Sequence, residues 1–496
     1  MKLLNKLLLL SFIFICGCGN RLTPNKKELV AEWDTVKVIE NPNKGWYHHM
    51  LDNGVHRYLL DSDSTINAFP GMDHLYLRLC WAFLEPEEGK YNWSYIDDIV
   101  NKYVPMGYKI SFRISCKETG PAPTSVPYEV DCIRYATPIW VKKAGAKGVN
   151  RPEYGTSSWT PDWDDSIFLS KLNNFHKAFA DKYDGKEWVR YIDIGSIGDW
   201  GEGHTYSSTR TPVTYDEIMT HINLYLKYYK KTQLIVTDDL LANSINEAKE
   251  QQLLDYVFDN GISLRDDSPM VEGYMKNDLE TWTVRYPEMF SKIYKYRPTI
   301  FELEHYGKVK SNNYWIGKDG SQIIPDMNVS GAEVFINAVK LIHPTYIGYH
   351  GYMKEWLEDN PVLTGKLLNL CGYWYFPVSI STNLYKDGVL EFEISWINKG
   401  VAPAYKSYQL IGRLIDHIDG TEITSFDIDD SGNMKWMPGV KIVEKYAVPI
   451  GHISSGKYDL MLGMYDRETN RIVDFGLNNS LKHDGLYYFT TIEIND

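Results

Sequence analysis

Eight short apolar runs alternate with longer amphipathic segments between residues 45 and 352, and this alternation restricts the fold more than any other feature of the chain. The runs are GWYHHM at 45–50, HLYLRLCW at 74–81, KISFRIS at 109–115, VRYIDIGSI at 189–197, QLIVTDD at 233–239, GISLRDD at 261–267, TIFELEHY at 299–306 and TYIGYHGY at 345–352. Helical periodicity predicts helices over 95–104, 167–183, 215–230, 245–258, 279–294 and 331–342. Strands separated by helix-length connections are the pattern of parallel βαβ units, and eight such units close into a (β/α)8 barrel.

Past Pro361 the pattern changes to strand-length alternation broken by Gly, Asn and Asp turns, as in VSISTNLYKDGVLEFEISWINKG and KYDLMLGMYDRETNRIVDFG. This predicts a C-terminal antiparallel β-sandwich. The 496 residues therefore divide into a barrel over 41–366 and a sandwich over 367–496, the latter expected to support the barrel or to bind sugar. Residues 1–18 have the basic start and short apolar core of a signal peptide. Their end, Ile15-Cys16-Gly17-Cys18, resembles a bacterial lipobox. That resemblance implies a lipid on Cys18, a tether over 19–40 and a place on the outer membrane of a Gram-negative cell envelope; the alternative is an ordinary secretory peptide. Cys80, Cys116, Cys132 and Cys371 show neither a disulfide framework nor metal-ligand spacing. Cys80 and Cys116 are expected to be buried as small hydrophobes.

A formal net charge of −13 opposes binding to nucleic acid, whose affinity depends on basic side chains displacing counterions from phosphates. The 15 Trp and 37 Tyr suit sugar rings as well as a protein core. In a (β/α)8 barrel, chemistry comes from side chains at the C-terminal ends of the strands. Those ends hold Asp199 and Glu202; Asp238 and Asp239; Arg265, Asp266 and Asp267; Glu302, Glu304, His305 and Tyr306; and His350 with Tyr352. An acidic face of this kind fits glycoside cleavage by two carboxyl groups, one protonating the leaving oxygen and the other attacking carbon or activating water. The long connection over 116–165, with Pro121, Pro123, Pro127, Pro138 and Pro152, is expected to cover this face. Its Trp140, Trp159 and Trp163 would then line a cleft or stabilise their own loop.

WAFLEPEEGKYNWSYID at 81–97 resembles the second-strand signature of clan A glycoside hydrolases of the β-galactosidase kind. The resemblance implies an acid/base Glu ending the fourth strand and a nucleophilic Glu ending the seventh, matched here by Glu202 and Glu304. Gly201 stands where that clan usually has Asn. Glu302, two residues before Glu304, is the other candidate nucleophile, since alternate strand residues face the same way. The whole mature chain, from NPNKGWY at 41–47 through GDWGE at 198–202 to ISWINKGVAPAY, also resembles an uncharacterised two-domain bacterial lipoprotein family of unknown function. Arg78 is expected to oppose the charge of Glu304, or else to neutralise a buried acid. Trp81 and Trp200 are expected to surround Glu202 with apolar surface and raise its pKa. His204, His305 and His350 match no compact metal motif and are assigned to sugar hydrogen bonding, together with Asp238, Asp266 and Tyr306. The expectation is a retaining glycoside hydrolase of poly- or oligosaccharides without cofactor or metal. Its rival is a non-catalytic glycan-binding lipoprotein on a decayed barrel.

Overall fold

A computed structural model describes residues 25–28, 37–52, 63–120, 125–153, 156–242, 246–267, 269–277, 279–478, 482–483 and 485–495. The signal peptide, Cys18, most of the tether, and Pro121 and Pro123 lie outside the described residues. All eight expected strands are present: β1 (Gly45–Leu51), β2 (Met72–Cys80), β3 (Lys109–Ser115), β4 (Val189–Asp193), β5 (Gln233–Thr237), β6 (Ser263–Asp267), β7 (Thr299–His305) and β8 (Pro344–His350). Each is parallel to its chain neighbours, and β8 pairs with β1 to close the ring. The fold is a (β/α)8 barrel followed by a β-sandwich.

The floor of the barrel lumen is aromatic. Tyr47, Tyr76, Tyr191 and Tyr346 join Ile235 and Ile300 in a buried cluster. Tyr76 and Ile235 have as strand partners the small Ser111 of β3 and Ser263 of β6, which leave room for the rings. Phenol rings bring hydroxyls with them, and these need partners when buried. Tyr76 Oη donates to Asp193 Oδ2 at 2.8 Å and accepts from Arg113 Nε at 2.6 Å, while Arg265 Nε reaches the same Asp193 oxygen at 2.9 Å. The tyrosine floor thus obliges a charged layer above it, and that layer supports the site.

The outer helices follow their sequence signals. Asp165 caps Ser166–Tyr183 through the amides of Ile167 and Phe168, and capping boxes Thr214/Glu217 and Ser330/Glu333 start Tyr215–Tyr228 and Gly331–Ile342. The helix expected over 279–294 is confined to Pro287–Ile293. Trp282 and Thr283 take positive φ of 56° and 68°, which breaks the helix before Pro287 restarts it. The connection after β3 forms two short helices, Pro127–Arg134 and Ile139–Lys143, and a hairpin of Gly148–Glu153 with Thr156–Pro161. Its tryptophans do not line a cleft: Trp159 and Trp163 are buried, and Trp140 packs edge-on against Trp81 with its indole N–H on the Glu85 carbonyl. Cys80 and Cys116 are buried as expected, as are Cys132 and Cys371.

In the sandwich, Asn25–Glu28, Tyr375–Lys386, Val389–Asn398 and Lys441–Pro449 form one antiparallel sheet. The other is built around Gln409–Asp416, Gly456–Asp466 and Leu486–Ile494. Stacked Trp396 and Trp436 lie between them. Leu367 and Leu368 pack into the barrel core, and Tyr373 begins the sandwich core. The junction is at the N-terminal ends of the barrel strands, opposite the catalytic face of such folds: Gly372 N donates to Pro344 O at 2.7 Å, Tyr373 Oη to Pro42 O at 2.9 Å, and Asn43 Nδ2 to Asp466 Oδ2 at 2.9 Å. Gly400 lets the chains meet, since a Cβ there would lie 2.1 Å from the Gly372 carbonyl oxygen. Gly400→Ala is expected to cost about 2 kcal/mol or more, read as a lowered midpoint in chemical denaturation, with far-UV circular dichroism still showing the barrel helices.

Candidate active site

The segment from β4 to Glu202 is shaped by its glycines. After β4 the chain runs beside Arg113, where a Cβ on Gly195 would meet the Arg113 side chain at 2.5 Å. Gly198, Gly201 and Gly203 all adopt positive φ, between 77° and 83°, a region open to glycine at little cost. A Cβ on Gly201 would lie 2.3 Å from Gly195 O, and one on Gly203 would lie 2.4 Å from Leu240 Cα. The first approach folds the loop back on its own strand, and the second presses it against the end of β5. Trp200, at φ 54°, is held in this uncommon conformation by its backbone N–H on Lys117 O and its indole on Thr119 O. Asp199 secures the far side by accepting the Ser207 and Ser208 amides at 2.9 and 3.0 Å. Glu202 emerges from this turn pointing into the mouth of the barrel.

The mouth encloses a cavity of about 440 Å³ whose lining includes Glu202, His204, Asp239, Asp267, Glu302 and His350, with Trp200, Tyr206 and Tyr274 among its aromatic residues. At its base one guanidinium joins two strand ends. Arg113 Nη1 donates to Glu202 Oε1 at 2.7 Å, and Arg113 Nη2 lies 3.5 Å from Glu302 Oε2. The two carboxyl groups differ in their company. Burial would push Glu202 up, but it is outweighed by the hydrogen bond and charge of His204 with Arg113 and Arg78, so Glu202 is held well below the ordinary glutamate range. Glu302 shares Arg265 with Asp193 and Asp267, the Arg265 Nη1 contact to Asp267 being 2.9 Å. Its burial and the charges of Asp267 and Glu202 exceed what Arg265 and Arg113 recover, and Glu302 is pushed up to about 8. The two carboxyl groups are thus driven in opposite directions, Glu202 toward the ionised form and Glu302 toward the protonated one.

This reverses the expectation for Glu202, which was to be kept protonated by Trp81 and Trp200. Trp81 is fully buried away from the cavity, its indole bonded to Glu85 Oε2 at 2.7 Å, and Trp200 lines the wall without displacing the cations. Arg78 reaches the site but pairs with Asp52 at 2.5 Å, Glu118 at 3.6 Å and Glu202 at 3.8 Å rather than with Glu304. The strand-alternation expectation for Glu302 and Glu304 is modified by a register shift between Glu302 and His305. Glu304 stays on the cavity wall, where its carboxylate accepts the His305 amide at 2.8 Å and Lys308 Nζ at 3.0 Å at the start of Tyr306–Ser311. His305 also lines the wall, stacked on His350 with ring centroids 3.5 Å apart. His350 Nε2 donates to Asp52 Oδ2 at 2.7 Å, and burial with the neighbouring His305 lowers the His350 imidazole to about 4.

Of each Asp pair the cavity takes the second member: Asp239 and Asp267 line it, whereas Asp238 is buried behind, accepting the Asp267 amide, and Asp266 is buried outside the lining. The reason is that β5 turns directly into the short helix Asp238–Ala242, which rotates Asp239 toward the mouth. Tyr306 points away and packs on Trp315 and Trp356. Arg113 was not expected at the site, and Arg265, Asp239 and Asp267 were expected only among the polar strand ends, with sugar binding assigned to Asp238 and Asp266 instead. Their signal was a guanidinium in an apolar strand, KISFRIS and GISLRDD, since buried arginine demands carboxylate partners. Two groups have ligand-type geometry, His49/Asp52/His350 and Glu202/His204/Asp239, with the atoms of each within 4.8 Å of one another. Both oxygens of Asp52 in the first are engaged by Arg78 and His350.

No family model matches the sequence, and no curated protein matches it. Among solved structures, endo-glycoceramidase II from Rhodococcus sp. aligns over 84% of this chain and 100% of its own at 11% identity and a TM-score of 0.39. A GH30 endoxylanase from Clostridium papyrosolvens aligns over 86% and 97% at 12% identity and a TM-score of 0.39. The catalytic domain of β-amylase from Paenibacillus polymyxa aligns over 66% and 97% at 9% identity and a TM-score of 0.42. These values describe a general likeness of shape, and the activities in those names are those proteins' own.

Gly203→Ala combines a forced φ of 77° with a backbone collision, whereas Gly89→Ala has a φ of 71° and open space around the new methyl. Gly203→Ala is expected to cost at least about 1 kcal/mol more than Gly89→Ala in urea denaturation.

Proposed function

We propose that the chain is a glycoside hydrolase acting on a poly- or oligosaccharide, with Glu202 and Glu302 as its two carboxyl groups. The observation that supports this most is the pair itself: two carboxyl groups on a shared guanidinium at the C-terminal mouth of a (β/α)8 barrel, one held below the ordinary glutamate range and the other pushed above it. Environments that drive two carboxyl groups apart in this way are what acid and nucleophile or base roles require. A retaining mechanism calls for carboxyl groups about 5 Å apart, against roughly 6.5–9.5 Å for an inverting one.

In this reading Glu302 gives its proton to the departing glycosidic oxygen as the carbon–oxygen bond breaks, and Glu202 attacks the anomeric carbon to form a glycosyl ester. Water, deprotonated by Glu302, then cleaves that ester; the proton returns to Glu302 and the carboxylate to Glu202. These roles are the reverse of those implied by the clan A resemblance, because the resting proton lies on the seventh strand rather than the fourth. Trp200, Tyr206 and Tyr274 offer faces on which sugar rings stack, Tyr206 being 71% exposed. The lipobox-like sequence supports an envelope location with a lipid on Cys18.

The test is hydrolysis of a glycan panel and of aryl glycosides with good leaving groups. Glu202→Gln is expected to lower kcat by at least about a thousandfold on every substrate, and Glu302→Gln to do so mainly where the leaving group is poor. Glu304→Gln should lose less than about tenfold. Unchanged turnover in the first two rejects the pair, and binding without turnover by the wild-type protein supports the non-catalytic rival. Since Glu302 must hold its proton, kcat is expected to fall as pH rises through about 8. A profile flat to pH 10 would contradict the assignment of the acid.

A further inference from the structure

If Glu202 is the ionised partner, as the reading above has it, something must keep it so in a largely buried position. We propose that His204, as an imidazolium, is the positioning residue for Glu202, pinning Oε2 while Arg113 pins Oε1, with Asp239 as the second carboxylate that stabilises the imidazolium. His204 Nε2 lies 3.4 Å from Glu202 Oε2, and Glu202, His204 and Asp239 present atoms within 4.8 Å of one another. The outer ends of both carboxylates are anchored: Glu202 by Arg113 at 2.7 Å, Asp239 by Arg285 at 2.5 Å. The imidazole itself is fixed between Tyr206, stacked at 5.1 Å between centroids, and the edge of Trp200 at 5.6 Å. On its other edge Nδ1 lies 3.9 Å from Asp199 Oδ2 and accepts the Tyr206 N–H at 3.5 Å, the limit of a hydrogen bond; protonation of Nδ1 gives up that long contact and turns Nδ1 into a donor facing Asp199.

Two occupants fit the space between these three groups, a proton on the imidazole or a divalent cation. Charge favours the proton. Arg113 and Arg285 already stand beside Glu202 and Asp239, so a divalent cation would add two charges near these two guanidiniums, whereas protonation adds one, on a ring faced by Glu202, Asp199 and Asp239, the last itself pushed up to about 7 by burial and the neighbouring Asp238. Burial alone would lower the imidazole, but the contacts with Glu202, Asp239 and Asp199 outweigh it and carry His204 up to about 9. Gly203 makes this arrangement available, since its close approach to Leu240 brings the loop of His204 against the helix that begins with Asp238 and Asp239.

Two experiments separate this role from the glycosidase reading. The first needs no substrate: ring-nitrogen NMR of the wild-type protein, with His204 identified by its loss in His204→Gln. It should show both His204 nitrogens protonated at pH 7.5 and a titration near pH 9, moved down by at least one pH unit in Glu202→Gln. The second is the pH profile of kcat on an aryl glycoside. The wild type should keep its activity down to the limit of folding. His204→Gln, which retains a donor but not the charge, should lose about tenfold or more in kcat with KM within about threefold, and gain an acid limb at higher pH than the wild type, Arg113 and Arg78 still holding part of the shift. A His204 titration at or below the ordinary 6.5 overturns the proposal, and so does an acid limb that does not move. Loss of activity on chelation with recovery on adding zinc or calcium also overturns it, in favour of the cation. If no glycoside is turned over, the NMR titration still decides the charge of His204, and it is the glycosidase reading that fails.

Discussion

The site depends on two guanidinium groups buried inside a barrel. Arg113 and Arg265, both fully inaccessible, converge on Asp193 above a floor of tyrosines, and from there each reaches upward to Glu302. A cation in such a place is tolerable only when paired and hydrogen-bonded, and removing one partner of a buried pair typically costs about 3–5 kcal/mol. The layer must therefore be complete for the barrel to close well. With Glu202 and Asp267 counted, its carboxyl groups outnumber these two guanidiniums, and Glu302 is the member pushed up. Stability and chemistry thus come from one network.

That network explains why the two mouth carboxyl groups differ. Glu202 meets Arg113, Arg78 and His204, whereas Glu302 competes with Asp193 and Asp267 for Arg265. Neither state follows from the residue type, nor from the apolar tryptophans nearby. The turn holding Glu202 is equally specific. Its glycines are there because backbone passes backbone at distances that leave no room for a Cβ, and the result sets Glu202 between Arg113 and His204. The sandwich takes the opposite end of the barrel and leaves the mouth clear.

Much of this was legible in the sequence. The eight strands, the capped helices and the change of period near Pro361 are local signals, and local signals survive into the structure with shifts of a few residues. Glu202, His204, Glu302, Glu304, His305 and His350 were expected at the mouth and line it. What failed depended on orientation or on long-range charge. Asp238 was chosen over Asp239 because the sequence does not say where β5 gives way to a helix, and Asp266 over Asp267 because the inward face of β6 was not read from Arg265, whose partner Asp267 is. Trp140, Trp159 and Trp163, expected either to line a cleft or to pack, went to packing because aromatic side chains bury themselves unless held out. The protonation of Glu202 was inverted because its partners, Arg113 and Arg78, come from strands 89 and 124 residues earlier, and no local pattern announces such a meeting. An inward arginine in KISFRIS was the available clue.

The central claim is that Glu202 is the ionised carboxyl that attacks the sugar. It is tested most directly by incubating the protein with activated 2-deoxy-2-fluoro glycosides, which slow the breakdown of a glycosyl ester, and mapping the modified peptide by mass spectrometry. The account predicts one added glycosyl unit on Glu202. A glycosyl unit on Glu302 or Glu304 would contradict it.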